Sequence, residues 1–370
     1  MTIRHLAVSG YRSLQNVVSP LDQLTLVTGS NGSGKSNLYR ALRLIVAAAR
    51  GELVGSLARE GGLPAALWAG PSRLSREMRQ GEQPIQGGSP QQPVRLRLGF
   101  AADPLSYAIE LGYSGEWETA FALDPALKGE WIWAGDSFHP RAVLTSSVSQ
   151  RDPDRSLLQS GADPEQQPEV HLLREQILSW RFYDSFRTDP EAPARHPRVG
   201  TRCFALADDG ADLAAAVQTI LENGDGVGLQ QAIEDAFPGC HLRVNSEGGL
   251  FRLQLHQPGL LRPLEAAELS DGTLRYVLLA AALFSPRLPP LLVLNEPESS
   301  LHPDLLAPLA RLILAASQRT QVWVMAHAPQ MIMALSSHAR CSHVQLQREL
   351  GTTIIQGQST LERCAWRWPG

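Results

Sequence analysis

An α/β fold built on a mixed sheet around a phosphate-binding helix is what this sequence predicts, and three observations carry the prediction. Leu24 to Leu44 reads LTLVTGSNGSGKSNLYRALRL, which is an apolar run, a glycine loop and an Ala/Leu-rich segment of helical spacing, in that order. Two later apolar runs, Leu291 to Leu294 and Gln321 to Met325, finish close to Asn295-Glu296 and His327, the pattern of buried strands that deliver polar groups at a sheet's carboxyl edge. Between the glycine loop and these runs, stretches from Val94 to Trp133 alternate with period two and are separated by turn signals, which predicts an antiparallel β section.

The glycine loop names a ligand. In Gly29, Ser30, Asn31, Gly32, Ser33, Gly34, Lys35 and Ser36 the glycines let successive backbone N–H groups turn inward around phosphate oxygens. The helix that follows aims the positive end of its dipole at the same anion. Lys35 is expected to bridge the β and γ phosphates of ATP, Ser36 to hold Mg²⁺, and Asn37 to complete the binding stretch. Arg12, in Gly10-Tyr11-Arg12-Ser13-Leu14 just upstream, is either a guanidinium that reaches phosphate or a solvated turn residue.

Composition narrows the class. With 370 residues and 43% hydrophobic content the chain can bury one large core or two modest ones. A formal net charge of −4 argues against a whole-surface affinity for nucleic acid and leaves a local arginine face open. Cys203, Cys240, Cys341 and Cys364 are widely spaced without CxxC pairing, which suits reduced structural thiols. No leader-like N-terminus or membrane-length apolar run is evident, so a cytoplasmic protein without membrane insertion is expected.

In chain order, strands are predicted from Ile3 to Ser9 and up to Pro20, then a helix from Lys35 to about Ala49 with Leu38, Leu42, Ile45 and Val46 on one face. The β section comprises Val94–Phe100, Ser106–Tyr113, Thr119–Leu123 and Trp131–Trp133. A polar, proline-punctuated linker follows, in which Gln150 is a candidate metal-sensing glutamine. Helical spacing returns from Glu169 to Ser179 and leads into Trp180-Arg-Phe-Tyr-Asp-Ser-Phe186, after which Arg187, Arg195, Arg198 and Arg202 crowd a Pro-rich stretch. Rings interleaved with arginines mean either nucleic-acid contact or a buried strand beside a solvated loop. Two helices, Asp212–Leu221 and Leu229–Phe237, and a hairpin of His241–Val244 with Phe251–Leu255 precede the last third. Neither a sustained heptad pattern nor a fixed-period repeat is present.

The last third supplies a second half-site. Leu269-Ser270-Asp271-Gly272-Thr273 opens a strongly apolar helix, with Ser270 and Asp271 at the N-cap and Gly272 permitting close approach, so a second anion site is predicted there. Leu291-Leu-Val-Leu-Asn295-Glu296-Pro297-Glu298 delivers Glu296 where it can orient or deprotonate an attacking water. His327 repeats that placement at the end of the next strand.

This order of motifs resembles the ABC-type ATPases of the RecF/SMC/OLD group, and in particular the stand-alone RecF-like ATPases assigned to the AAA family. The resemblance covers nearly the whole chain. It implies an ABC-type head with mixed core sheet, antiparallel β section and inserted helical subdomain, and an activity that converts ATP and water to ADP and phosphate. It also implies a homodimer closed head to tail on ATP, with Ser270 and Gly272 contacting the partner's γ-phosphate. Ser300 and Leu301 would form the loop between sites and His327 the switch histidine. Two residues depart from the pattern. Asn295 stands where the family has a metal-supporting Asp, which predicts slow hydrolysis and no large loss of turnover in Asn295→Asp. Asp271 stands where Gly is common, and is expected to turn away and cap its helix.

The expected divisions are 1–148, an ATPase lobe with P-loop and β section; 149–260, an inserted linker and helical/β subdomain; and 261–370, a lobe with signature, Asn295-Glu296 strand and His327. The role implied by the resemblance is DNA repair, recombination or defence against foreign DNA, with DNA as a possible partner. With little chain after His327, any cleavage would need a separate nuclease or other effector protein. A transporter's nucleotide-binding subunit shares the motifs but fits the large insertion between Lys35 and Ser270 poorly. A small-molecule phosphotransferase leaves the signature helix without a task.

Overall fold

The computed structural model describes residues 2–71, 95–113, 120–121, 123–147, 155–160, 164–184, 186–358 and 366–369. Its elements run β1 (Thr2–Tyr11), β2 (Leu14–Pro20), β3 (Leu24–Gly29), α1 (Lys35–Arg50), α2 (Leu53–Arg59), α3 (Gly62–Ala66), β4 (Leu96–Asp103), β5 (Leu105–Tyr113), β6 (Pro125–Ala134) and β7 (Val143–Ser147). They continue with α4 (Leu157–Ser160), α5 (Pro168–Leu178), β8 (Arg181–Tyr183), β9 (Arg198–Val199), α6 (Leu213–Asn223), α7 (Gly226–Ala236), β10 (His241–Asn245), β11 (Leu250–His256) and β12 (Leu264–Glu265). The chain then forms α8 (Asp271–Leu283), β13 (Leu291–Asn295), α9 (Leu306–Ser317), β14 (Gln321–Met325), α10 (Pro329–Ser336), β15 (Cys341–Glu349) and β16 (Thr352–Ile355). Two compact units result, one of residues 1–22, 28–179 and 344–370, the other of residues 23–27 and 180–343.

The first unit carries the antiparallel sheet, ordered β2-β1-β4-β5-β6-β7. Period-two apolar residues turn inward from it: Leu6 and Val8 of β1, Leu98 and Phe100 of β4, and Tyr107 and Ile109 of β5 are all buried. Helix α1 buries the predicted face of Leu38, Leu42, Ile45 and Val46. It stops at Gly51, whose φ of 77° lets its N–H return to Ala47 and Ala48. Arg174 of α5 donates to the Ala49 carbonyl at 3.2 Å, so a side chain also serves that helix end.

The predicted strand Thr119–Leu123 is corrected. Its described residues are turns, closed by Asp124 N–H donating to Phe121 C=O at 2.9 Å. Phe121 and Leu123 are 70% and 59% exposed, so their alternation reflects no buried face, and the strand starts only at Pro125, after the Asp-Pro turn signal. Within β6, Glu130 is fully buried and satisfied by Tyr107 OH, Ser156 OH and Leu157 N–H, each at 2.6 Å.

The second unit is organised on parallel strands in the order β3-β14-β13-β8. Val27 pairs with Met325 and Met325 with Asn295, while Tyr183 pairs with Leu294, so the four carboxyl ends lie level. Strand β3 continues by chain connectivity into the glycine loop. The strands are mostly apolar, as both faces are largely covered; Leu292, Leu294, Val322 and Val324 join Leu278, Leu309 and Ile313 in one core. The predicted hairpin is present as β10 and β11, with His241 opposite His256.

The ring-and-arginine stretch proves to be core beside loop. Trp180, Phe182, Tyr183 and Phe186 are at most 6% exposed, so those rings offer no face to a base. Arg187 pairs with Asp189, and Arg195 is buried. Cys203, Cys240 and Cys341 are free thiols; Cys364 lies outside the described residues. Among the described residues no helix is long and apolar enough to cross a membrane.

Candidate functional site

In the first unit the glycine loop is held open by its own geometry and by residues remote in sequence. Gly32 and Gly34 have φ of 79° and 109°, values only glycine adopts cheaply. A Cβ at Gly34 would strike the Thr353 side chain, and one at Gly29 would strike Ser33 and the Leu346 carbonyl. Thr353 Oγ1 donates to the Ser33 carbonyl at 2.9 Å and lies 2.7 Å from Ser13 Oγ, which accepts from Asn37 Nδ2 at 2.8 Å. Asn37 therefore braces the loop from behind.

Lys35 is 9% exposed, and its ammonium folds across the loop onto the Gly29 and Ser30 carbonyls. An ammonium tied to its own loop's carbonyls is placed to exchange them for phosphate oxygens, which are stronger acceptors. Ser30, Asn31, Gly32 and Ser36 are exposed around it, and Ser36 stands in the first turn of α1. These residues fit a nucleotide phosphate chain. Arg12 is committed elsewhere: it donates to Glu60 at 2.8 and 3.2 Å, and Tyr11 OH donates to the same oxygen at 2.7 Å. Burial, then that hydrogen bond, pushes the Tyr11 phenol well above its ordinary range. A phosphate contact by Arg12 would give up the Glu60 pair. Gln150 lies outside the described residues.

In the second unit Glu296 and His327 meet. Glu296 leaves β13 with φ of 48°, a left-handed conformation rare for a side chain of its size, and its N–H is held by the Met325 carbonyl at 2.8 Å. His327 Nδ1 lies 3.9 Å from Glu296 Oε1 and 3.3 Å from Glu298 Oε1. Glu298, 5% exposed, accepts the backbone N–H groups of His327 and Ala328 at 2.6 and 3.1 Å and so fixes the chain after β14. Arg275 of α8 donates to the Glu296 carbonyl at 3.3 Å. Burial lowers the Arg275 pKa, against the opposing charges of Asp184, Glu298 and Glu296.

Asn295 sits half-buried beside Glu296, its amide donating to Asp184 Oδ1 at 2.8 Å. Asn295 and Asp184 carry hard oxygen donors, the chemistry that would suit Mg²⁺.

At the stretch expected to be the signature, Ser270 is the N-cap of α8 and accepts Thr273 N–H at 3.2 Å. Asp271 does not cap, contrary to expectation. Its carboxylate is held at 2.7 Å by Arg195, which also donates to the carbonyls of Thr188, Ala266, Ala267 and Leu269. The cap position was already filled by the better-placed hydroxyl, and a buried guanidinium neutralises the spare charge. Gly272 packs on the Ser300 carbonyl, 3.1 Å from where its Cβ would stand, and Ser300 itself has φ of 63°. The start of α8 and the Ser300-Leu301 loop thus touch.

Sequence reasoning passed over Ser13, Thr353, Glu298 and Asp184. Glu298 had a signal, a second acid two residues after Glu296. Arg195 had one only as part of an arginine-rich stretch, and Thr353 had none.

A glycine loop with a buried lysine, and a parallel sheet ending in Asn-Glu and His, define a P-loop ATPase of the ABC head type. The chain belongs to the family described as "AAA domain, putative AbiEii toxin, Type IV TA system", whose model matches residues 24–326. Its fold is similar to that of an SMC head solved bound to the C-terminal winged-helix domain of ScpA, at 14% identity and TM-score 0.55, covering 98% of this chain and 99% of that one. The SMC head domain from Thermotoga maritima aligns at 16% identity and TM-score 0.49, covering 97% and 100%. No curated protein matches the chain.

Proposed function

We propose that this RecF/SMC-like ATPase binds and slowly hydrolyses ATP as a homodimer closed head to tail, each copy lending Ser270 and Gly272 to the nucleotide on the other's P-loop. The observation that supports this best is the juxtaposition of Glu296 and His327 at the level carboxyl ends of β13 and β14. Lys35 and the backbone of Gly29 to Ser36 bind the phosphates, with Asn37 bracing the loop; Ser36 and Asn295 are each candidate groups for Mg²⁺. When bound, Mg²⁺-ATP supplies the scissile phosphoanhydride and the charge that neutralises it. Glu296 orients a water and takes its proton, while His327, 3.9 Å from that carboxylate, serves as the switch histidine toward the γ-phosphate. Gln150 and Arg12 have no supporting observation as ligands.

The substrate class we infer is DNA, in repair, recombination or defence, with a separate effector protein doing any cleavage. The matched family's description as a type IV toxin–antitoxin domain favours defence. The experiment is to trap Glu296→Gln with ATP and Mg²⁺ and measure its mass in solution, alone and with single-stranded, duplex or broken-end DNA. A dimer that forms only with ATP and tightens with one DNA form is expected. A monomer under every condition would overturn the head-to-tail reading, and a dimer indifferent to DNA would remove the substrate.

A further inference from the structure

Strand β8 lies beside β13 in parallel, with Tyr183 opposite Leu294. The next residues along each, Asp184 and Asn295, therefore emerge together at the carboxyl edge, joined by the 2.8 Å bond from Asn295 Nδ2 to Asp184 Oδ1. An ionised carboxylate can only accept, so the amide presents its NH₂ to Asp184 and keeps its own oxygen for another partner. Asp184 is exposed, and its charge acts on the same Arg275 guanidinium as those of Glu296 and Glu298.

We propose that Asp184 supplies the metal-supporting negative charge at this edge, one strand away from the position where the motif places it, with Asn295 as its positioning residue. The proposal rests on the ATPase reading above. The uncharged Asn295 then marks a relocated charge and not a lost one. Asn295→Asp would set a second carboxylate against the first at hydrogen-bond distance, where like charges repel, so the expectation of an undiminished Asn295→Asp enzyme reverses. Among the described residues no three His, Cys, Asp or Glu side chains converge as a metal site. Mg²⁺ takes one or two carboxylates, keeps several waters and draws its remaining ligands from phosphate, so one supporting carboxylate would suffice. Metal binding should therefore be strongly coupled to nucleotide.

The test measures binding of a fluorescent ATP analogue with and without Mg²⁺ in wild type, Lys35→Ala, Asp184→Asn, Asn295→Asp and the exchanged double variant Asp184→Asn/Asn295→Asp. Thermal midpoints without nucleotide confirm that each variant is folded. Mg²⁺ should tighten binding in wild type. Asp184→Asn should lose roughly 10- to 100-fold of the apparent Mg²⁺ affinity, the usual effect of removing a group that supports a metal's ligands, with metal-free nucleotide binding unchanged. The double variant should recover most of it, while Asn295→Asp alone stays impaired. Full Mg²⁺ enhancement in Asp184→Asn, or an exchanged variant no better than Asp184→Asn, overturns the proposal while the ATPase reading stands. Wild type indistinguishable from Lys35→Ala would overturn both.

Discussion

Replacing Arg195 with Met tests whether the signature loop is held by a buried fork of hydrogen bonds. Arg195 is 8% exposed and donates to four carbonyls and one carboxylate. Two of those bonds, to Ala266 and Leu269 at 3.0 and 2.7 Å, are fully buried, so their carbonyls would lose a donor without gaining water. At about 1–2 kcal/mol for each buried acceptor left unpaired, the loss is about 2–4 kcal/mol. The Asp271 pair adds little, because that carboxylate is 63% exposed and its attraction is screened; Asp271→Asn should cost under about 1 kcal/mol. Arg195→Lys keeps the charge, yet one ammonium cannot span carbonyls as distant in sequence as Thr188 and Leu269, so it should resemble Met more than wild type. Urea unfolding followed by tryptophan fluorescence reads these differences as midpoint shifts at constant slope. Asp271→Asn as damaging as Arg195→Met, or Arg195→Met within about 1 kcal/mol of wild type, would refute the reasoning.

Three further outcomes are expected. Glu298→Ala leaves the His327 and Ala328 N–H groups without their acceptor, so ATP turnover should fall at least tenfold, roughly, with nucleotide affinity nearly unchanged, as steady-state kinetics beside equilibrium binding would show. Thr353→Val removes the donor to the Ser33 carbonyl, worth about 1 kcal/mol, and should weaken ATP binding several-fold in titration while unfolding midpoints move little. Burial raises the Glu130 pKa above the ordinary 4.5 despite its hydrogen bonds, so the folded state binds the proton more tightly than the unfolded chain. Its contribution to stability is then present below about pH 4.5 and lost as pH rises through the folded value; denaturation at a series of pH values should show that decline in wild type and not in Glu130→Gln.

Legibility in the sequence followed the range of the interactions. The P-loop, α8, β13 and β14 were readable because each is specified by neighbours within a dozen residues, through periodicity, caps and glycines. The turn at Phe121 misled because alternation over five residues signals a strand only if one face is buried, and burial is not local. Asp271 misled for a related reason: its charge is managed by Arg195, 76 residues earlier. Asp184 could be seen as a polar residue after an aromatic strand, but its place beside Asn295 depends on strand order, which parallel connections leave open.

One consequence of Thr353 concerns synthesis. The clasp on Ser33 and Ser13 joins residues 320 and 340 positions apart, so the nucleotide loop waits for residue 353 to be made before it is braced. A nascent chain that has already displayed Gly29 to Ser36 on the ribosome lacks the strand β16 that carries the clasp. Full affinity for ATP thus arrives only once residue 353 has been made, and a chain terminated before it would hold nucleotide more weakly however well its earlier parts had folded.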